Sequence, residues 1–316
     1  MILLQVLHIL AAFIHGISCS LSIWLHTDTI DGQITLPHHT YMADPTASLK
    51  HLIVNATVSH EQVLYTNPMV WIAGNEGLTF FSHLIALGLL YLNPNKLDEV
   101  ERMRRTIEYS FTAGILQVAL VLGVGSIALY DVFWLLGVNV AIQLLGWLSD
   151  EPQGKEVRNW LLGIAFGLLS LEIFYVISQS VNLNGIEPGP YIALGVAYGI
   201  FYILFGVVKL IPAWKRDENE IYVLMSVTSK VALSWILIGN TFEGLKELEV
   251  KSLPFDHTWH DWRLIQIVIS TVCGVILVGG IIAITMRKDE EEGSTQSIFT
   301  RRKPRLNYKY SEITSF

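Results

Sequence analysis

Eight stretches of the sequence, roughly 3–25, 69–92, 105–129, 131–148, 158–181, 190–212, 219–242 and 263–286, reach or approach the ~20 apolar residues that a helix needs to cross a bilayer core. Only helices and closed barrels satisfy every backbone group inside lipid, so runs of this length predict an all-α membrane protein. Composition agrees, with 52% hydrophobic and 16% charged residues, where soluble domains carry about a quarter charged. The net charge of −7 says little, because placement matters more than the sum. Cys19 and Cys273 both fall in apolar runs and offer neither a disulfide framework nor metal-ligand spacing. The first run starts at Met1–Leu4 with no basic residue before it and continues through Trp24, which predicts an uncleaved helix rather than a signal peptide.

Basic residues set the expected orientation. One alternate set of connections holds Lys96, Arg102, Arg104, Arg105, Lys155, Arg158, Lys209, Lys215, Arg216 and the tail from Arg287 to Lys309; the other holds only Lys50, Lys246, Lys251 and Arg263. Loops rich in Lys and Arg stay in the cytoplasm, so both termini are expected there, in a multi-pass protein of the plasma membrane. The long connection 26–68 is then external. Its β-branched stretch 51–58 predicts a short extracellular β-hairpin, and Asn55-Ala-Thr57 is a glycosylation sequon. His257 and His260, with Asp256 and Asp261, offer metal-ligating groups in the last outer loop. Trp259 and Trp262 favour interfacial anchoring there instead. The chain divides into a bundle at 1–245, an external linker at 246–262, an eighth helix at 263–286 and a disordered cytoplasmic tail at 287–316. Within that tail Asp289–Glu292 is acidic, Arg301–Arg305 is basic and Tyr310-Ser-Glu-Ile313 fits a tyrosine-based sorting signal.

An ionisable residue deep in a span costs a few kcal/mol or more, so each one needs a reason. Lys230 sits eleven positions in from Asn219, too deep to reach water. A buried amine sheds its proton, pairs with a carboxylate, or serves as a Schiff base. Glu108 also sits eleven positions in, if the third helix begins at Leu97. Both helices run outwards and their side chains lean back towards the N-terminus, so lysine and carboxylate meet at one depth. Arg105, three positions before Glu108, is placed to hold it ionised. Thr112 lies four after Glu108, Ser226 four before Lys230, and Thr79 and His83 four apart on the second helix. A single Ser or Thr more often bonds its own helix; the coincidence on three helices favours a site. His15, Glu76 and Glu172 are the other deep ionisable groups. For Glu76 a polar outer vestibule is the plain alternative to transport, and for Glu172 a bond to a neighbouring helix. Tyr109, Tyr198, Phe201, Tyr202, Phe205 and Trp235 supply aromatic lining for an apolar ligand, and Asn139 and Gln143 supply polar points, although ordinary helix packing uses the same residues.

Ser226-x-x-x-Lys230, Arg105-x-x-Glu108-Tyr109-x-x-Thr112 and Thr79-x-x-x-His83, with His15, the inward N-terminus and the long first outer loop, resemble a microbial-type rhodopsin and more narrowly a heliorhodopsin. The resemblance covers residues 1 to about 245. It implies a seven-transmembrane-helix bundle with all-trans retinal on Lys230 as a protonated Schiff base and Glu108 as sole counterion. It also implies a polar inner cavity in which His15 and His83 accept or relay protons, as suits a group titrating near neutrality. Light would drive a slow photocycle that signals onward to an unknown cytoplasmic partner. Family members also form homodimers through the outer-loop hairpin and the fourth and fifth helices. No enzymatic activity and no nucleic-acid partner are expected.

Departures from the pattern matter as well. Proton-pumping rhodopsins carry a second carboxylate where this chain has Ser226 and a proton donor where it has Ala119, so a pump of that design is disfavoured. Thr79 and Thr112 stand where many heliorhodopsins have Ser, and the eighth helix is extra. Certain viral heliorhodopsins conduct protons, and extra intramembrane carboxyls such as Glu76 and Glu172 are what such a path would need; the resemblance is to a viral or algal member with an extra C-terminal helix. The expected function is light sensing. Its competitors are a light-gated proton channel or transporter on the same scaffold, and a retinal-free transporter in which Lys230 and Glu108 form a plain ion pair.

Overall fold

The computed structural model describes residues 2–29, 40–42, 57–59, 68–93, 96–123, 129–152, 154–181, 189–211, 214–215, 217–247 and 262–301. Eight helices carry the apolar runs: α1 (Ile2–Thr29), α2 (Pro68–Leu92), α3 (Leu97–Gly123), α4 (Leu129–Asp150), α5 (Lys155–Val181), α6 (Gly189–Leu210), α7 (Glu218–Glu247) and α8 (Trp262–Arg301). Between α1 and α2, strands β1 (Thr40–Met42) and β2 (Thr57–Ser59) pair antiparallel, Tyr41 opposite Val58. The sequence places strand propensity at 51–58; of that stretch only its last two residues are among those described. Asn55 and residues 248–261, with the loop histidines, lie outside the described residues.

Local chemistry sets the helix ends. Pro68 opens α2 and Pro190 stands in the first turn of α6, where a missing N–H costs nothing. Asp98 and Glu99 begin α3 and Glu218 and Glu220 begin α7, each favourable beside the positive end of a helix. Asp217 is the N-cap of α7, its carbonyl accepting the first helical bond from Ile221 N at 3.0 Å.

Consecutive helices pack on one another from α1 to α7, and α7 closes back on α1. α3 also touches α5 and α7, which sets its middle turns inside the ring. α7 is buried along most of its length, whereas α4 and α5 expose Phe133, Trp160 and Phe174. Large apolar side chains on the outside of a bundle suit a lipid surrounding. Six helices, α1 and α4 to α8, are long and apolar enough to cross a membrane. The two that fall short, α2 and α3, bury Asn75, Glu76, Thr79 and His83, and Glu101, Arg104, Arg105 and Glu108, respectively. Their lower hydropathy is the cost of carrying polar groups that face inward.

Ion pairs gather the starts of α3 and α7 and the ends of α4 and α6 at one end of the bundle. Arg105 meets Glu218 at 3.0 Å, Lys209 meets Asp150 at 2.5 Å, and Arg102 meets Glu151 at 3.3 Å. Neighbouring helices therefore alternate in direction. α8 lies against α7, where a Cβ on Gly280 would meet Leu224 at 2.4 Å and one on Gly239 would meet Gln266 at 2.3 Å. Small residues at both ends of this contact let the backbones approach. Gln266 Nε2 donates to the Ile236 carbonyl at 2.8 Å and to Asn240 Oδ1 at 2.9 Å. The eighth helix does not stop at residue 286 as the apolar run suggests. It continues to Arg301 through the acidic stretch 289–292, which corrects the expectation of a disordered tail beginning at 287. Glu, Lys and Arg are good helix formers, so a helix leaving the apolar layer need not end there.

Candidate functional site

Lys230 and Glu108 meet in the middle of the bundle. Lys230 Nζ donates to Glu108 Oε1 at 2.6 Å, to Thr112 Oγ1 at 2.8 Å and to Thr79 Oγ1 at 3.0 Å. These three acceptors use the donor capacity of an ammonium. Each hydroxyl also bonds its own helix, Thr112 to the Glu108 carbonyl and Thr79 to that of Asn75. The backbone thus fixes the hydroxyls that surround the amine. Lys230 Nζ also stands 4.8 Å from the centre of the Tyr109 ring, within cation–π range. The lysine is 5% exposed, and the glutamate likewise 5%.

The far side of Glu108 differs from what spacing suggests. Arg104, not Arg105, binds it, and Ser82 donates to Oε2 at 2.6 Å. Ser226 donates to Oε1 at 3.3 Å. Both arginines lie within one turn of Glu108, but Glu218 at the start of α7 draws Arg105 aside, and its guanidinium sits 3.9 Å over the Tyr222 ring. Arg104 then bridges two carboxylates, its Nε donating to Glu101 Oε2 at 3.0 Å. Ser82 and Arg104 are missed by sequence reading, although each lies one turn from a residue it picks out: Ser82 three after Thr79, Arg104 four before Glu108.

A second polar group lies along α1 and α2. His15 Nδ1 meets Glu76 Oε2 at 2.5 Å, and Ser234, one turn after Lys230, donates to Glu76 Oε1 at 2.6 Å. His83 stacks on His15 with ring centres 5.7 Å apart and shares a hydrogen with His8, Nδ1 to Nδ1, at 2.8 Å. His8 Nε2 in turn lies 3.1 Å from Glu101 Oε1. His8 is absent from the sequence reading; its signal was a position seven residues before His15, two turns along the same face. Glu172 stands apart, accepting from Gln117 Nε2 at 2.9 Å, and Gln117 also reaches the Tyr198 hydroxyl at 2.5 Å.

A mostly apolar cavity reaches Lys230. Tyr109, Tyr202, Phe205, Asn139 and Gln143 line it, as do Leu116, Phe166 and Leu233. Asn139 spends its amide on the carbonyls of Tyr109 at 2.6 Å and Ser110 at 2.9 Å, so it fastens α4 to α3. Three of the expected aromatics are placed elsewhere: Tyr198 is held by Gln117, Trp235 donates to Ser18 at 3.2 Å, and Phe201 packs among the core residues. A long apolar carbonyl compound would find a mostly apolar wall here and, in Lys230, an amine ringed by acceptors. Gly206 leaves room in the wall, since a Cβ there would come within 2.5 Å of the Phe166 ring. Gly206→Val is therefore expected to displace the Phe166 ring and lower uptake of a long apolar carbonyl ligand several-fold, measured as ligand bound per mole of protein.

The family model described as Heliorhodopsin matches residues 4–242, from α1 into α7 and short of α8. No curated protein matches the chain.

Proposed function

The chain belongs to the heliorhodopsin family, and from that premise we propose that it is a light sensor holding all-trans retinal on Lys230, with Glu108 balancing the charge. The observation that carries this reading is the buried Lys230 amine on the wall of a mostly apolar cavity, 2.6 Å from one carboxylate oxygen of Glu108. Retinal held by Lys230 would supply visible absorption and a light-driven isomerisation. The protein's own residues do the rest. Thr79, Thr112 and Glu108 orient the nitrogen and hold its proton, while Arg104, Ser82 and Ser226 keep the carboxylate in place. Leu116, Phe166 and Leu233 keep water from the chain of the ligand.

Purified protein mixed with all-trans retinal is expected to develop a visible band that changes on illumination. A wild type that develops none is instead a retinal-free transporter or receptor with an internal ion pair. The sensor reading includes a homodimer, to be checked by cross-linking in membranes, and a cytoplasmic signalling partner. Proton conduction is the second reading, favoured by the buried Glu76–His15 pair. Light is expected to evoke no steady current in voltage-clamped cells; a photocurrent that reverses with the pH gradient would replace the sensor by a channel.

A further inference from the structure

Three buried carboxylates, Glu76, Glu101 and Glu108, belong to the polar network that includes the lysine, and they are not equivalent. Glu108 is held by Arg104 as well as by Lys230, and Glu101 by Arg104. Glu76 has no fixed cation in contact: its partners are His15, Ser234 and, at 3.4 Å, Asn75. A proton moving within this group settles where no permanent positive charge opposes it.

His15 supplies a route whose hydrogen is set by Glu76. An ionised carboxylate only accepts, so the ring nitrogen facing it carries a hydrogen. That puts one on His15 Nδ1, towards Glu76. With its hydrogen there, His15 presents a lone pair at Nε2, an atom that is buried with no hydrogen-bond partner in the protein. The His83 ring stacks on His15 with ring centres 5.7 Å apart.

We infer that Glu76 is the terminal proton acceptor of the photocycle, loaded through His15. The proton that leaves the Lys230 nitrogen is taken up on His15 Nε2, and His15 gives its Nδ1 hydrogen to Glu76 Oε2. The N–H bond at Lys230 breaks, an N–H bond forms at Nε2, the Nδ1–H bond breaks and an O–H bond forms on Glu76. His15 ends neutral in its other tautomer, and Glu76 ends as a neutral acid that can donate to its neighbours. The move keeps the charge of the group unchanged. Displacement of the lysine nitrogen is thereby stored as a neutral Glu76 next to Ser234, one turn along α7.

This inference rests on the retinal reading, and its test separates the two. Light-minus-dark infrared spectra of the retinal-loaded protein are expected to show a carboxylic-acid C=O band when the lysine nitrogen has lost its proton. The band is expected to vanish in Glu76→Gln and to shift in Glu76→Asp. If Glu76→Gln fails to fold, the shift in Glu76→Asp decides alone. A band that stays unmoved in both, that is missing from the wild type, or that follows Glu101→Gln instead overturns the inference while leaving the pigment standing. Absence of any visible pigment removes both. Nitrogen-15 spectra of histidine-labelled, retinal-free protein give an independent reading. His15 is expected with hydrogen on Nδ1, facing Glu76; hydrogen on His15 Nε2 overturns the route.

Discussion

Lys230→Ala is expected to yield a folded protein that develops no visible band with retinal. The loss is complete because Lys230 is the only lysine among the residues lining the cavity apart from Lys209, whose Nζ is tied to Asp150 at 2.5 Å and to the Gly146 carbonyl at 3.0 Å. Folding survives because nothing that Lys230 touches is orphaned. Glu108 keeps Arg104, Ser82 and Ser226, and Thr79 and Thr112 keep their backbone acceptors. Removing the amine then costs about 1–3 kcal/mol, the range for hydrogen bonds lost at a buried site. A melting point within a few degrees of the wild type, with no band in the visible, is the expected pair of results. A visible band in Lys230→Ala would place the retinal attachment elsewhere.

Much of this site is legible from counting alone. A lysine and a glutamate at equal depth on two parallel helices need no tertiary information to be paired, because rise per residue fixes depth and Cβ direction fixes lean. What counting leaves open is choice between neighbours on one face. Arg104 and Arg105 both lie within a turn of Glu108, and the choice depends on Glu218, which approaches from another helix and takes Arg105. Tyr198 reads as cavity lining until Gln117 claims its hydroxyl, and Trp235 until Ser18 claims its N–H. His8 escapes notice because its one cue, a place two turns before His15 on the same face, names no partner; only His83 and Glu101, from two other helices, give it a role. The reach of α8 is hidden for a different reason. Hydropathy marks where a helix leaves an apolar layer, whereas the helix itself is held by backbone bonds that charged residues do not break.

Glu108→Gln should be the more damaging of the two changes to the pair. The glutamate stands between Lys230 and Arg104, so its neutralisation leaves two cations facing one amide in a site nearly closed to water. Arg104 retains Glu101, but Lys230 retains only the two hydroxyls, which cannot offset a full charge. Breaking a buried ion pair from one side typically costs about 3–5 kcal/mol, well above the loss expected from the lysine side. The chain relieves that cost by shedding the proton from the lysine nitrogen. The retinal-loaded variant is therefore expected to absorb in the near ultraviolet at neutral pH, where the wild type absorbs in the visible, and to recover visible absorption only on acidification. Titrating the spectrum of each protein from acid to alkaline pH measures this, and a variant that keeps a wild-type visible band at neutral pH would show that Glu108 is not what balances the charge. The comparison also weighs Arg104. If Lys230→Ala is mild and Glu108→Gln severe, the carboxylate is serving two cations at once, which is the arrangement that leaves Glu76 as the carboxylate free to take a proton.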